Sequence, residues 1–498
     1  MENIRRNEEF LAAMDLAEDQ SALRRVGGKE KRASGGGGGS AARKRKSEPV
    51  EPTRRSSRVR GEEAEHIYVE STQGGKIVIG KGAPSDPGRQ LTVLGDPSGA
   101  VLPAPSGERT RFDAHVLALG EAGDEEVLAR LREASASSSS AGAQDAAEAA
   151  GSSGQGVAAL VARFSSLSCG ESHKLVPERA YSVALWDQLC AVGDKEGNVG
   201  VARIGEAVES TAFRPHVGTV NVLTFGHGSL FSFSYDGTVR RMPLARPGEF
   251  LMAFASGKAE SNGDDVWLQH GAVVGPNCGT AWLAFSDGAV LCRDLTADRE
   301  LWSFAAHDKK VQTVSLSPDQ RYLATASLDR SVKLWDLRKV GGGKSAAKPA
   351  LLGTFEDANS VNSCSFNASG SRLLAVGQSN RLHLCAGPQA CSGGELKPAH
   401  SLAHDNRTGR YLAVFHAAWD PRDDDAFLCG SMMQPRRVEL FHAKDKIKLT
   451  LNLTGDGLSS VCSRNAFHPT LDLVAGVNAS GRLHLFSSSS SSSSSNRP

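Results

Sequence analysis

The stretch HDKKVQTVSLSPDQRYLATASLDRSVKLWDLRK, residues 307–339, constrains the fold of this chain more than any other part of it. Two short alternating runs, Val311 to Leu316 and Tyr322 to Ser327, are followed by a tight turn at Leu328 to Arg330 and a third run, Ser331 to Trp335. Period-2 alternation broken by turn residues is the pattern of antiparallel strands joined by hairpins. A lone hairpin set cannot bury its apolar face, so further copies of the unit are required nearby.

Six further units emerge between Lys174 and Phe486. The first ends in GDKEGNVGVARI, and the second carries His216 and SYDGTVRRM. The third, with SDGAVLCRDL, is degenerate, and residues 307–339 form the fourth. The fifth contains VNSCSFNASGSRLLAVGQSNRLHL, the sixth is a longer, irregular unit from Ser401 to His442, and the seventh contains RNAFHPTLDLVAGVNASGRLHLF. Corresponding turns recur about every 40 to 55 residues, near the period of a propeller blade. The expected fold class is therefore all-β, a seven-bladed WD-repeat β-propeller whose ring closure protects its strand edges. An N-terminal strand is needed to complete the seventh blade, and the apolar run Val157 to Phe164 is the candidate. In the fourth blade His307, Ser327, Asp329 and Trp335 stand at the offsets of the polar network of a WD blade. There a turn Asp, a lead-in His, a strand hydroxyl and an indole satisfy one another.

Outside residues 157–486 the composition changes. Residues 1–26 carry a partial helical stripe at Ile4, Phe10, Leu11 and Met14, either a short docking helix or a transient one without a partner. Residues 27–156 are low-complexity, basic and Ala/Ser-rich, with short strand-like pieces at His66 to Val69 and Lys76 to Gly80, and 487–498 form a poly-Ser tail. Such composition predicts a largely disordered extension and tail. The cluster Arg43, Lys44, Arg45 and Lys46 reads as a nuclear localisation signal, as a phosphate grip, or as a solvated charge run.

With a net charge of +1, any affinity for nucleic acid has to come from a local basic face. Nine cysteines include no CxxC pair, so no metal is expected, and buried thiols in a reducing compartment are the better reading. No apolar run reaches the roughly 18 residues of a membrane span, and the N-terminus lacks a signal-peptide pattern. A soluble, intracellular protein is expected. No nucleophile–base arrangement, phosphate loop or cofactor motif stands out, which points to a non-enzymatic binding protein without cofactors.

ENIRRNEEFLAAMDL, RRSSR, GDKEGNVG, SYDGTVR, HDNRTGRYLAVFHAAWDP, GSMMQPRRVE and RNAFHP give the chain its most specific likeness. In these runs it resembles the family of WD-repeat protein 76 and its fungal DNA damage-binding counterparts, related to the small subunit of the UV-damaged-DNA-binding complex. The resemblance implies a nuclear, chromatin-associated protein that binds DNA with a preference for damaged or modified sites. It implies a DNA-facing surface made of Arg179, Lys195, Lys309, Lys310, His404, Asn406, Arg407, Arg410, Tyr411, Arg436 and Arg437. The segment from His404 to Tyr411 lies where the damage-binding relative inserts a hairpin. Gly409 and Arg410 replace that relative's aromatic wedge and leave Tyr411 to stack, which favours backbone binding over base flipping. The run Trp335, Asp336, Leu337, Arg338 resembles the WDxR motif that docks a cullin-4 ligase adaptor. The alternative function is accordingly a ligase substrate receptor or chromatin scaffold, and a third is a histone-tail or peptide binder at the central mouth. A DNA face and an adaptor face require Lys310 and Arg338 to lie on distinct surfaces.

Overall fold

The computed structural model describes residues 156–488, except 206–207, 257–265, 340–348, 389–390 and 392–393, together with residue 129 and four short strands upstream. The helical stripe of residues 1–26, the basic cluster Arg43 to Lys46 and most of the terminal Ser run lie outside the described residues. Two of the upstream strands, Ile67–Gln73 and Lys76–Lys81, form an antiparallel hairpin in a separate unit, residues 1–89.

In the unit of residues 90–498, seven sheets succeed one another along the chain, antiparallel except for the parallel edge strand Gly394–Glu395 of blade 4, and each is led by an innermost strand. These innermost strands are Ala180–Trp186, Val220–Gly226, Leu268–Val274, Val311–Leu316, Val361–Phe366, Ala418–Trp419 and Cys462–Phe467. Each packs on the next and the last packs on the first, so the ring is closed. The core is divided the same way. Seven apolar clusters occupy the seven interfaces between neighbouring blades, because strands buried on both faces feed a different interface from each side of the pleat. In blade 4, Leu323 and Trp335 face blade 3, while Ala324, Ala326, Val332 and Leu334 face blade 5. Trp335 meets Phe304 edge-on at 5.1 Å, an arrangement worth about 1 kcal/mol beyond area burial.

Closure departs from the sequence expectation. Val157–Phe164 is an α-helix, and the outer edge of blade 7 is completed instead by Ser172–Lys174 against Arg482–His484 and by Leu167–Ser168 against Ser487–Ser488. The third strand of blade 7 thus runs two residues into the Ser tract. VAALVARF is an apolar run short enough to be read either way, but its three alanines favour helix. Apolar residues at i, i+3 and i+7 then bury Leu160 and Phe164 in the interface of blades 6 and 7. Arg163 fastens the helix there, 2.7 Å from the buried Asp420 and 3.1 Å from Asp472.

The polar network of blade 4 also needs one correction. His307 pairs with Asp329 at 2.8 Å, but its other ring nitrogen lies 2.7 Å from Thr325 Oγ1, which accepts the Trp335 indole N–H at 3.0 Å. Ser327 is one pleat nearer the turn, and its hydroxyl donates to the carbonyls of Lys309 and Lys310. The indole reaches diagonally across the strand pair, from Trp335 opposite Leu323 to Thr325, and cannot extend a further pleat to Ser327. Burial opposes ionisation of Asp329, yet hydrogen bonds from His307 and Ser331 outweigh it and hold the carboxyl well below the usual range.

Candidate nucleic-acid interface

Strand direction decides which residues share a face. Every innermost strand starts at the rim that carries the lead-in from the previous blade, and the turn between the second and third strands returns to that rim. We call it the upper rim. Arg179 and Lys195 of blade 1, Lys309 and Lys310 of blade 4, and 404–411 with Arg436 and Arg437 of blade 6 all stand in such lead-ins and turns. Arg338 follows the third strand of blade 4 and stands at the lower rim, about 20 Å away along a six-residue strand. Lys310 and Arg338 therefore occupy distinct surfaces.

The sixth blade supplies the most unusual upper segment. Its innermost strand is cut to Ala418–Trp419, and residues 404–417 run as an unpaired excursion. This is not a β-hairpin: its tip is a turn at 409–411, where Gly409 adopts φ +63° in open space. The excursion alternates in burial. His404, Asn406 and Thr408 point inward, while Arg407, Arg410 and Tyr411 are exposed, Tyr411 by 66%. His404 binds Asn406 at 2.6 Å and lies 3.3 Å from Glu439, and Asn406 donates to the carbonyls of Gly377 and Arg381. Both are committed to anchoring the segment on blades 5 and 6. At the tip, Arg410 lies over the Tyr411 ring at 5.0 Å and donates to its hydroxyl at 2.9 Å. Arg179 of blade 1 donates to the Arg410 carbonyl at 2.9 Å and so ties the tip to the far side of blade 7.

The remaining cations differ in how free they are. Lys195 is paired with Glu196 at 2.7 Å, Arg407 with Asp405 at 3.1 Å and Arg437 with Glu439 at 2.9 Å. Arg436 donates to the Met432 carbonyl. Lys309 is exposed, whereas Lys310 is half-buried with its ammonium 5.4 Å from the Trp267 ring, and burial lowers its pKa. Trp267 continues into Tyr235 at 6.3 Å, and Gln269 bonds both Tyr235 and Gln312 at 3.0 Å. Trp267 and Gln269 are not apparent from the sequence because they lie in the degenerate third blade, and their partners Tyr235 and Gln312 come from blades 2 and 4. The indole and phenol beside a basic lead-in were the available signal.

At the lower rim Arg338 forms a two-pronged bond to Asp336, at 2.9 and 2.8 Å, and lies over Tyr322 at 5.1 Å. Among the described residues no group of three or more His, Cys, Asp or Glu is arranged to hold a metal, and no helix is long and apolar enough to cross a membrane.

Comparison with known proteins agrees with this architecture. The signature of the WD domain, G-beta repeat, matches residues 298–336. DNA damage-binding protein CMR1 of Chaetomium globosum is 33% identical over 359 residues, 64% of this chain and 66% of that protein. WD repeat-containing protein 76 of Xenopus laevis is 30% identical over 324 residues, 63% of this chain and 54% of that protein. DNA damage-binding protein 2 of Mus musculus is 28% identical over 312 residues, 58% of this chain and 66% of that protein. The matches thus span somewhat under two thirds of the relatives' lengths. Seven WD blades and these identities lead to one assignment: the chain is a seven-bladed WD-repeat propeller similar to the fungal DNA damage-binding proteins and WD repeat-containing protein 76.

Proposed function

We propose that this protein is a nuclear, non-enzymatic DNA-binding propeller that acts on damaged or modified DNA in chromatin, gripping the duplex with its upper rim. The observation that carries this reading is the shared rim of Arg179, Lys195, Lys309, Lys310, Arg407, Arg410, Arg436 and Arg437, with Tyr411 exposed between them. Cations spread over separate blades suit successive phosphates, which supply affinity without sequence preference. Tyr411, steadied by Arg410, is the group able to stack on an unpaired base. The relatives named as DNA damage-binding proteins support the same reading.

A gel-shift series at graded salt, with intact and UV-irradiated duplexes, tests it. Binding that weakens steeply with salt and favours the irradiated duplex is expected. Absence of binding even at low salt overturns the proposal.

The lower rim supports a second, compatible role as substrate receptor of a cullin-4 ubiquitin ligase. Arg338 is half exposed and held by Asp336 and Tyr322 in a fixed orientation, which suits a charge-assisted bond to an adaptor. Charge reversal by Arg338→Glu is expected to abolish adaptor co-purification, and unchanged co-purification removes this reading.

A further inference from the structure

One position in the third strand of every blade faces the next blade, opposite a residue of the second strand. In six blades it is apolar and packs into the interface: Val201, Cys292, Leu334, Leu384, Leu440 and Leu485. In blade 2 the same position is Arg241, opposite Phe231. Phe231 belongs to the apolar cluster between blades 2 and 3, and cross-strand partners share a face of the sheet, so Arg241 is directed into that interface.

The exchange leaves room between the two blades. A cavity of about 230 Å³ opens there, lined by Phe231, Arg241, Leu251 and Met252 of blade 2 and by Cys278 and Leu295 of blade 3. Cys278 lies in the turn between the first and second strands of blade 3, and Leu295 directly follows its third strand, so the opening is at the lower rim.

Arg241 is half-buried at this opening and held in place. Its Nε donates to Ser229 Oγ at 2.8 Å, and the guanidinium carbon is 5.9 Å from the centre of the Phe231 ring. Ser229 is 1% exposed, which makes it a fixed support. Among the described residues no carboxylate pairs with Arg241, and its two terminal nitrogens make no hydrogen bond. The edge of the guanidinium that can grip two oxygens at once is therefore free, beside walls made mostly of hydrocarbon. A cation drawn from water into such a place is stabilised when an anion meets it.

We propose that this cavity binds a carboxylate carried on a compact apolar body, with the carboxylate on Arg241 and the body against Phe231, Leu251, Met252 and Leu295. One cation among apolar walls suits a planar monoanion better than a strongly hydrated phosphate dianion. The volume is below the roughly 300 to 1,000 Å³ of sites for drug-sized ligands, so the body is about the size of one amino-acid side chain. A free carboxylic acid and the apolar C-terminal residue of another protein offer this same chemistry. The proposal does not depend on DNA binding, which was assigned to the opposite rim.

N-acetyl-leucine, titrated into the full-length chain carrying carbon-13 methionine methyl groups, tests the site by NMR, with the Met252 signal identified through Met252→Leu. A saturable shift of Met252 is expected in the wild type. Arg241→Leu, which restores the residue type of the other blades, is expected to weaken binding about ten-fold or more, and Arg241→Lys to weaken it less. The neutral N-acetyl-leucinamide should bind the wild type about ten-fold more weakly than the acid. A tetrapeptide with a free C-terminal leucine that binds more tightly than N-acetyl-leucine assigns the site to a chain terminus, and binding no tighter assigns it to a free acid. No saturable shift with either acid, equal affinity for acid and amide, or equal affinity in the wild type and an Arg241→Leu variant of native circular dichroism overturns the site. Should Arg241→Leu fail to fold, the comparison of acid with amide in the wild type decides the matter.

Discussion

Arg179 of blade 1 donates to the main-chain carbonyl of Arg410 in the excursion of blade 6, 2.9 Å away, and this single bond positions the exposed Arg410–Tyr411 tip. Arg179 is thus both a surface cation and the support of another.

Non-additive loss of DNA affinity follows from that double role. Arg410→Ala alone is expected to lower the slope of log affinity against log salt by about 1. Arg179→Ala should cost more, because it also releases the tip, and the double variant should lose less than the sum of the two. Strict additivity in a double-mutant cycle would show that the tip does not depend on Arg179.

Thr325 and Ser327 separate the two assignments of the blade-4 network. Thr325→Val keeps the shape but strands His307 Nε2 and the Trp335 indole, at a cost of about 2–3 kcal/mol. Ser327→Ala, which leaves both intact, should cost about 1 kcal/mol. Denaturant unfolding of the two variants gives the comparison, and equal costs would restore Ser327 to the network.

Glu439 should make the propeller sensitive to acid. Burial raises its pKa, but hydrogen bonds from His404, Arg437 and Ser431 outweigh this and bring it down to about 2. A carboxyl depressed on folding contributes stability above its unfolded pKa of about 4.3, and that contribution is lost as pH falls toward 2. The loss is on the order of 3 kcal/mol. Stability measured from pH 6 to pH 2 should fall less steeply in Glu439→Gln, and identical slopes would exclude Glu439 as a source.

Arg163 is expected to be the weak point of ring closure. Arg163→Ala removes the guanidinium 2.7 Å from the buried Asp420 and leaves it only the more distant Arg422 at 3.9 Å, a weakening of a buried pair that costs about 3 kcal/mol. Limited proteolysis should then cut first between the helix and Ser172. A protected N-terminal segment in the variant would mean that Leu160 and Phe164 suffice to hold it.

Arg330 stands at φ +75° in the turn where blades 1, 2, 3 and 7 place Gly197, Gly237, Gly288 and Gly481, also at positive φ. Its side chain is exposed. Relief of the left-handed backbone in Arg330→Gly should raise stability by about 0.5–1 kcal/mol, net of the entropy that glycine adds to the unfolded chain. A lower melting temperature would show that the arginine side chain contributes more than its backbone costs.

Much of this architecture was legible because it is local. Alternating runs, turn residues and the WD pair act within one blade, where strand propensity and turn chemistry operate over a few residues. The His307–Asp329 pair followed from spacing within one blade, whereas distinct surfaces for Lys310 and Arg338 were a requirement of the resemblance. The sixth unit stood out as irregular, but the inward turn of His404 and Asn406 was not visible, because their partners lie on blade 5 and on the third strand of blade 6.

Short-range periodicity was enough to define seven strand units and their hairpin turns. Folding was needed to settle that residues 157–164 form a helix, that Thr325 rather than Ser327 receives the indole, and that His270 and His416 meet across the channel. Each of these depends on which surfaces face one another once the ring has closed. Burial, unpaired polar atoms and contacts across the channel are properties of that closure, and no window of sequence contains both sides of it.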